Sequence, residues 1–393
     1  MSAAGLLVAG GGIGGLAAAV ACRQTGCDVT VFEQAQALSE TGAGIQLGPN
    51  VTRILAKWDL MGALLPACGH PRALVVRDAV SGRETARMEF GERFAARYGA
   101  PYLTVHRADL QDILLNAARG RGAKLRTGTR VVNATSTDGE VRVTTDDAEH
   151  RAAALVAADG VWSALRSCVV RDGTTRDTGH LAYRALAAQS SLPERLRSSD
   201  VTVWLAPRMH LVTYPLRGGD QLNVVALVET TQARSSAVAT GWEARGAKDD
   251  LSPSMHGLCP DLQELVEALP HWGVWPLHDR APMRGGGEMA SGRIALLGDA
   301  AHPMLPYLAQ GAGMAIEDAD VLASALADAD SDSVPAALAR YAAARWRRCA
   351  QVQAAARRNA AIFHASGAVR VARDTAMRML GERLIDQPWL YAR

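Results

Sequence analysis

Glycines near the amino terminus have the spacing of a turn that cradles phosphate. Gly10-x-Gly12-x-x-Gly15, with Gly14 inside it, follows a short apolar segment, and Glu33 ends the next one. In such a pattern the glycines allow a tight turn, a close approach to a pyrophosphate and close helix packing. The acidic side chain accepts hydrogen bonds from ribose hydroxyl groups. The alternative is a purely structural turn. Here a strand, a turn, a helix, a second strand and an acidic residue follow one another in the expected order. This order favours a dinucleotide-binding site, but it does not distinguish FAD from NAD.

A second candidate site lies where a late apolar segment ends in Gly298-Asp299. A turn follows, and then the glycine-spaced start of a helix at residues 310–313. Asp299 is placed to hydrogen-bond a polyol such as a ribityl chain, and the backbone N–H groups around Gly311 and Ala312 suit the negative charge of a reduced flavin. The alternative is an ordinary helix entry that Asp299 caps.

A third stretch, AADGVWSALR, repeats the transition from strand to polar turn. Asp159-Gly160 ends the predicted strand, and Ser163 and Arg166 are expected on a helix that follows it. The alternative is a capped helix with Arg166 as a surface charge.

The elements that position these residues alternate between strand and helix. Hydrophobic periodicity and turn residues predict strands at 6–9, 28–32, 155–158 and 294–297, helices at 16–26 and 108–119, and a hairpin at 130–145 that turns at Asp138-Gly139. From about residue 178 to 275 the segments alternate strictly, which predicts an antiparallel sheet broken at Gly218-Gly219. The rest of the chain is helical and rich in Ala and Arg. The predicted fold class is therefore α/β with an antiparallel sheet and a helical carboxyl-terminal part.

The composition excludes several classes of protein. Of 393 residues, 48% are hydrophobic, and 42 basic against 40 acidic side chains give a net charge of +2, so no nucleic acid or membrane partner is expected. The six cysteines form no C-x-x-C pair, so neither a metal site nor a redox dithiol is predicted, and a reducing, cytoplasmic setting is expected. The first apolar run lacks a basic leader and is interrupted by five glycines within residues 10–15, which disfavours a signal peptide or membrane span. We expect a monomer or homodimer.

Together, the three stretches resemble those of the single-component flavin-dependent aromatic hydroxylases, the 4-hydroxybenzoate hydroxylase-like superfamily. The resemblance covers essentially the whole chain and is closest to the salicylate, 3-hydroxybenzoate and 6-hydroxynicotinate hydroxylase branch, through the segments GAGIQLGPN, VHRADL, HPMLPYLAQGAGMAIEDA and PWLY. It implies a Rossmann-like FAD-binding domain with an inserted antiparallel-sheet substrate domain. The expected boundaries are 1–70, 101–177 and 276–330 for the FAD-binding domain, 71–100 and 178–275 for the substrate domain, and 331–393 for the helical carboxyl-terminal region.

The resemblance also implies which residues bind the cofactor. Arg107 matches an arginine that contacts FAD, Asp299 matches the aspartate on the ribityl-phosphate side, and the Asp159 motif serves both FAD and the visiting NADH or NADPH. No second G-x-G-x-x-G occurs, so NAD(P)H is expected as a co-substrate without a domain of its own. His302 is expected to be structural. The complete implied set is Gly10, Gly12, Gly14, Gly15, Glu33, Arg107, Asp159, Asp299, Gly311 and Ala312.

The activity implied is hydroxylation of a phenolic or heteroaromatic acid with NAD(P)H and O2, through a C4a-hydroperoxyflavin. His210 and Tyr214 are four residues apart on a predicted strand and share a face, and they are implied to line the substrate and help deprotonate its phenol. The alternative is that Tyr214 is an ordinary half-buried aromatic residue and that the hydrogen bonds of His210 are satisfied within the core. Gln46, Tyr307 and Arg184 are further substrate-binding candidates. Arg184 would pair with a carboxylate, or else is an ordinary surface arginine.

The substrate is left open in three ways. Gln46 stands where 6-hydroxynicotinate hydroxylases carry a histidine, which disfavours that substrate because glutamine cannot act as a base. The same flavin chemistry on a neutral or polycyclic substrate, as quinolone hydroxylation or an epoxidation, is one alternative, and an FAD-binding protein that does not catalyse is another.

Six arginines are expected on the solvated side of a terminal helix, with a dimer contact as the alternative: Arg340, Arg345, Arg347, Arg348, Arg357 and Arg358.

Overall fold

The computed structural model describes residues 5–38, 43–230 and 247–392. Within these ranges the strands are β1 (Gly5–Ala9), β2 (Asp28–Phe32), β3 (Gly44–Leu47), β4 (Cys68–Gly69), β5 (Ala73–Asp78), β6 (Glu84–Glu89), β7 (Leu103–His106), β8 (Lys124–Arg126), β9 (Val131–Ser136), β10 (Val141–Thr145), β11 (Glu149–Ala152), β12 (Ala154–Ala157), β13 (Arg176–Ala188), β14 (Val201–Ala206), β15 (Met209–Leu216), β16 (Gln221–Glu229), β17 (Gly273–Asp279), β18 (Ala290–Ser291) and β19 (Ile294–Leu296). The α-helices are α1 (Ile13–Gln24), α2 (Pro49–Lys57), α3 (Met61–Ala67), α4 (Glu92–Tyr98), α5 (Arg107–Gly120), α6 (Ala247–Leu251), α7 (Pro260–Ala268), α8 (Gly311–Leu326), α9 (Val334–Phe363), α10 (Gly367–Leu380), α11 (Glu382–Ile385) and α12 (Pro388–Tyr391).

The first layer is a six-stranded sheet in the order β18-β19-β12-β1-β2-β8. All its pairings are parallel except that of β18 with β19. The central strands β1, β12 and β19 are short and buried, as expected where helices cover a parallel sheet. The predicted strands are confirmed to within about a residue. Helix α1 begins at Ile13, three residues earlier than predicted.

A seven-stranded sheet forms the second layer, in the order β17-β13-β16-β15-β14-β5-β6. Its pairings are antiparallel apart from the parallel pair β14 and β5, so the predicted antiparallel sheet is confirmed. The predicted break at Gly218-Gly219 is a short 3₁₀ turn, and Gly218 has a φ of 68°. The seven strands come from chain segments 73–89 and 176–279. The domain boundaries that the family resemblance implies stay a prediction.

Two small sheets and the helical end complete the described chain. The predicted hairpin at Asp138-Gly139 is formed by β9 and β10, with β11 beside β10, and β3, β7 and β4 form the other small sheet. None of the helices in the described ranges combines the length and apolar character needed to cross a membrane.

The structure corrects two expectations about arginines. Ser163 and Arg166 do not lie on an α-helix: only a 3₁₀ turn at Leu165–Cys168 forms, and Arg166 is buried. In α9, Arg345 is also buried, paired with Glu317 and Asp318 of α8. Arg348 pairs with Glu317 as well, and Arg357 with Asp279. Arg345, Arg348 and Arg357 are therefore internal links between elements. The other three terminal arginines are exposed, as expected: Arg340, Arg347 and Arg358.

Candidate active site

A cavity of about 320 Å³ separates the parallel-sheet layer from one face of the seven-stranded sheet. We call it the first cavity. The parallel-sheet side contributes the starts of α1 and α8 and the turn after β19, whereas the roof comes from alternate residues of β13, β15 and β16. Predicted residues lining it are Gly12, Gly14, Gln46, Arg107, Arg184, Tyr214, Asp299, Gly311 and Ala312.

A second cavity, of about 420 Å³, lies along the carboxyl ends of β1, β2 and β12. Gly10, Glu33 and Asp159 line it, and it shares Gly12, Ala158 and Gly160 with the first cavity. The two cavities are therefore neighbours along the edge of the sheet where α/β proteins bind their ligands. An elongated dinucleotide can span both.

The glycine turn keeps its backbone close to neighbouring atoms on one side and open on the other. A Cβ on Gly15 would lie 1.9 Å from the Gly10 carbonyl oxygen, and one on Gly14 would lie 2.9 Å from a Leu297 methyl carbon. A Cβ on Gly12 would meet nothing within 4 Å. Gly14 and Gly15 thus allow close packing, whereas Gly12 leaves space for a ligand.

Two helices point uncapped amino termini into the first cavity. The N-cap residues Gly12 of α1 and Gln310 of α8 make no side-chain capping hydrogen bond. Gly311 and Ala312 line the cavity at the start of α8. Because the first N–H groups of a helix lack intrahelical acceptors and carry partial positive charge, both ends can hold negatively charged or carbonyl oxygens of a cofactor.

The acidic residues differ in how their oxygens are used. Each carboxylate oxygen of Glu33 accepts one backbone hydrogen bond, from Gly11 at 2.7 Å and Ala35 at 2.8 Å. The Oδ2 atom of Asp159 accepts from Leu165 at 3.3 Å, whereas its buried Oδ1 has no hydrogen-bond partner in the described chain. Burial raises the pKa of Asp159, although hydrogen bonds from Ser163 and the backbone oppose that shift.

Charged groups flank the turn after β19. Asp299 is exposed and lines the first cavity, in a 3₁₀ turn that begins at Gly298 with a φ of 62°. Burial lowers the pKa of Arg107, and the negative charge of Asp299 opposes that shift. Arg166 fastens this turn to the Asp159 segment, because its guanidinium donates to the carbonyl oxygens of Ala300 and Ala301 at 2.8 and 2.6 Å.

Tyr214 projects from β15 into the first cavity and packs against Gly44 of β3. The Gly44 N–H donates to Asn223 Oδ1 at 2.7 Å, and Asn223 is the register partner of Tyr214 on β16. The Nδ2 atom of Asn223 is buried without a hydrogen-bond partner in the described residues. Burial raises the pKa of the Tyr214 phenol, so it stays protonated at neutral pH, with Arg184 opposing the shift. Gln46 accepts from the Tyr102 hydroxyl at 2.7 Å, which leaves its amide NH2 as a donor.

Arg184 supplies positive charge to the roof of the same cavity. Its guanidinium carbon lies 5.1 Å from the ring centroid of Trp275 on β17. Burial lowers the pKa of Arg184, and the charged or titratable groups that act on it are Tyr214 and Arg107, with no carboxylate among them in the described chain. Since an arginine stays protonated in proteins, a cation without a carboxylate partner faces the cavity.

His210 and Tyr307 lie beside this cavity rather than among the described residues that line it. Both are buried in a cluster with His180 and His364. His210 Nδ1 is 2.9 Å from His364 Nε2, and the Tyr307 hydroxyl is 2.6 Å from His180 Nδ1. Burial, then the neighbouring His364 and His180, lowers the pKa of His210 well below its ordinary value, so its ring is neutral. His210 and Tyr214 do share a strand face, but Val212 and Tyr214 line the cavity whereas His210 lies beyond it.

Sequence reasoning missed several residues that shape the site. Asn223 accepts a hydrogen bond from the Gly44 N–H, and Tyr102 donates one to Gln46. Arg166 links the Asp159 segment to the turn after β19. For His180 a signal was present: it lies four residues before Arg184 in the alternating segment HLAYR, and therefore on the same face of the strand.

The fold and the paired cavities define a flavoprotein. The open space at Gly12, the two uncapped helix termini and the unpartnered Oδ1 of Asp159 fit the phosphates, the ring carbonyl groups and the hydroxyls of FAD. Residues 4–356 match the family described as FAD binding domain. The chain belongs to this family, and the predicted FAD cofactor is confirmed.

Named relatives extend the match over nearly the full length. A 3-hydroxybenzoate 6-hydroxylase of Polaromonas naphthalenivorans (strain CJ2) is 38% identical over 98% of this chain and 95% of its own. A 6-hydroxynicotinate 3-monooxygenase of Bordetella bronchiseptica is 35% identical over 88% of this chain and 89% of its own. The crystal structure of Klebsiella pneumoniae HpxO, complexed with FAD and uric acid, has a TM-score of 0.86 at 27% identity, covering 97% of this chain and 94% of that one. The prediction of an FAD-dependent aromatic-ring monooxygenase is confirmed.

Proposed function

We propose that this chain hydroxylates an aromatic acid that carries a phenolic hydroxyl group, with 3-hydroxybenzoate as the first compound to test. FAD is the cofactor, and NADH or NADPH and O2 are the co-substrates. The observation that carries the proposal is the Arg184 guanidinium at the roof of the first cavity, where the groups that act on it include no carboxylate. The named relatives that act on hydroxybenzoate and hydroxynicotinate support the same substrate class.

Arg184 is proposed to pair with the carboxylate of the substrate. Its two-pronged guanidinium can form two parallel charge-assisted hydrogen bonds with a carboxylate, which fixes the orientation of a ring in its plane. Stacking on Trp275 holds the guanidinium in one direction before the substrate arrives. A neutral substrate would leave this cation unpaired at the cavity wall, which disfavours the quinolone alternative.

Tyr214 and Gln46 are proposed to contact the phenolic end of the substrate. The raised pKa of Tyr214 keeps its hydroxyl protonated, so it donates a hydrogen bond to the phenolic oxygen rather than removing a proton. Gln46 offers its amide NH2 because its carbonyl oxygen is engaged by Tyr102. Both donors favour the phenolate form of the substrate, which is more electron-rich and more readily attacked at its ortho and para carbons.

The remaining site residues are proposed to hold the cofactor and exclude water. FAD, when bound, supplies reducing equivalents from NAD(P)H and the activation of O2. The uncapped amino terminus of α8 at Gly311 and Ala312 would stabilise negative charge on the flavin ring, and Glu33 and Asp159 would accept hydrogen bonds from hydroxyl groups of the cofactor. The apolar side chains of Val212, Val225 and Leu227 line the roof and keep water from the reacting atoms.

The proposal is tested by NAD(P)H consumption and product analysis with the purified yellow protein. The panel is salicylate, 3-hydroxybenzoate, 4-hydroxybenzoate, 6-hydroxynicotinate and a quinolone, with benzoate as a control that lacks the phenolic group. We expect one hydroxylated acid to stimulate NAD(P)H oxidation and to yield a dihydroxylated product. Turnover of the quinolone, with silence across the acids, would contradict the proposal.

A further inference from the structure

Three side chains of types that can ligate a metal ion lie close together beside the first cavity, on the same face of the seven-stranded sheet. His180 on β13 and Glu229 on β16 are register partners on adjacent strands. His364 follows the last turn of α9 and packs against them. One nitrogen or oxygen atom of each residue lies within 4.8 Å of the others. We call these three residues the His-Glu-His cluster.

We propose that the His-Glu-His cluster binds a zinc-like divalent cation, with water as a further ligand. Two imidazoles and one carboxylate are a donor set that suits Zn²⁺. Tetrahedral bonds of 2.0–2.1 Å place neighbouring ligand atoms about 3.3 Å apart. His364 Nδ1 and Glu229 Oε1 already have a separation of 3.1 Å. The ligand atom of His180 lies within 4.8 Å of the other two, so a movement of its ring towards them would complete the set.

The other ring nitrogens of the two histidines are occupied in the way that metal-binding histidines require. His180 Nδ1 is 2.6 Å from the Tyr307 hydroxyl, and His364 Nε2 is 2.9 Å from His210 Nδ1. These contacts leave His180 Nε2 and His364 Nδ1 to face the ion. Hydrogen bonds of this kind fix the tautomer and orientation of a ligand ring, and their loss typically weakens metal binding 10- to 100-fold.

Burial and connectivity set this cluster apart from a second group of candidate ligands. His302, Asp318 and Cys349 also approach one another, but both oxygens of Asp318 are engaged, one by His302 and one by Arg345. In the His-Glu-His cluster, Glu229 Oε2 makes only a long contact of 3.8 Å with the exposed Arg208, which can move away. His180 and Glu229 are half-buried, so an ion can enter from the surface. A bound ion would join β13, β16 and the end of α9 beside Tyr307, whose neighbour Pro306 lines the first cavity.

The test uses untagged, FAD-loaded protein from which metals have been removed by a chelator. Zn²⁺ is titrated in competition with a chromophoric chelator, and Co²⁺ is titrated while the absorbance beyond the flavin bands is recorded. We expect one equivalent of either ion per chain and a Co²⁺ spectrum typical of low coordination number. Zn²⁺ should also raise the thermal midpoint of the wild-type protein, because the ion binds only the folded cluster.

Variants assign the binding to these residues. Glu229→Gln and His180→Gln should each weaken Zn²⁺ binding by about 100-fold, and Tyr307→Phe by about 10-fold. His256→Gln removes an exposed imidazole elsewhere and should leave binding unchanged. FAD content and the thermal midpoint without Zn²⁺ report whether each variant folds. If Glu229→Gln does not fold, the result for His180→Gln decides the test. The proposal would be overturned if the wild type bound less than one equivalent of Zn²⁺, or if both ligand variants bound it as the wild type does. It would also be overturned if only Cys349→Ala, in the second group of candidate ligands, lost binding.

Discussion

Gly44 and Tyr214 face each other at the first cavity with no space between them for another carbon atom. A Cβ built on Gly44 would lie 2.4 Å from Cε2 and 3.0 Å from the hydroxyl oxygen of Tyr214. The Gly44 backbone is itself held by Asn223. The missing side chain of Gly44 therefore sets where the Tyr214 ring lies relative to the substrate.

Gly44→Ala is expected to displace the Tyr214 ring and to lower kcat by about 100-fold, because a shift of about 1 Å at a reacting site has that effect. FAD binding should be retained, since the displaced ring lies on the roof. Steady-state kinetics with the best acid of the panel and the flavin absorbance measure the two effects. Gly91→Ala is the matched control, because a Cβ there meets nothing within 4 Å. Equal kcat values in the two variants would contradict the expectation.

Arg184→Met is expected to raise KM for the acid substrate by 10- to 100-fold, because a charge-assisted hydrogen bond to the carboxylate is lost. Arg184→Lys should recover part of the loss, since lysine restores the charge without the two-pronged geometry. Comparing each acid with its neutral carboxamide gives the specific readout. We expect the preference for the acid to vanish in Arg184→Met and to persist in Arg142→Met, a control at an exposed arginine on β10. An unchanged preference in Arg184→Met would remove the carboxylate role.

Tyr214→Phe is expected to lower kcat by 10- to 100-fold and to divert NAD(P)H oxidation towards hydrogen peroxide, because the donor to the phenolic oxygen is removed. The ratio of product formed to NAD(P)H consumed measures this diversion. His210→Asn is the companion variant, since His210 lies beyond the described lining of the cavity. We expect His210→Asn to keep most of that ratio. A loss as large as in Tyr214→Phe would favour a direct role of His210 at the substrate, as the family resemblance implies.

Gly15→Ala is expected to abolish or strongly weaken FAD binding. The added Cβ would lie 1.9 Å from the Gly10 carbonyl oxygen, so the turn and α1 must move apart. Flavin content after purification and the FAD dissociation constant measure the effect. Gly62→Ala in α3 is the control, because its added Cβ meets nothing within 4 Å and its helix does not border the cavities. Full flavin content in Gly15→Ala would contradict the role of close packing at this turn.

The buried pair of His302 and Asp318 is expected to make stability depend on pH. Burial by itself would lower the pKa of His302, but Cys349 and Asp318 raise it well above its ordinary value. Below the unfolded-state pKa of about 6.5 both states hold this proton, so the stabilisation is fully present there. Above it only the folded state does, so the free energy of unfolding falls with rising pH, by at most about 1.4 kcal/mol per pH unit.

Urea unfolding of the FAD-loaded protein at several values between pH 6 and 9 measures this slope. His302→Gln should reduce the slope, because the proton that only the folded state retains is gone. His256→Gln, at an exposed position, should keep the wild-type slope. A slope shared by all three proteins would assign the pH dependence to other groups.

The sequence by itself determined the β-α-β unit, the hairpin and the alternating antiparallel segments, but not the strands and helices between residues 44 and 106. The glycine turn, the strand that ends at Glu33 and the alternating segments were all recognisable, because a turn, a β-α-β unit and a strand face depend on residues close in the chain. Tyr214, Arg184 and Gln46, which the family resemblance suggests for the substrate, line one cavity, and their roles stay a prediction. The same local information also gave the family resemblance, since the motifs that carry it are short and contiguous.

Only the tertiary structure decided which side chains meet across elements. Arg345 has the position of a solvated helix residue, but α8 places Glu317 and Asp318 opposite it, and a buried charge must be paired. His210 shares the strand face of Tyr214, yet the end of α9 covers it with His364 and removes it from the cavity. Such outcomes depend on the packing of elements far apart in the chain, and periodicity along one strand or helix carries no information about the partner opposite it.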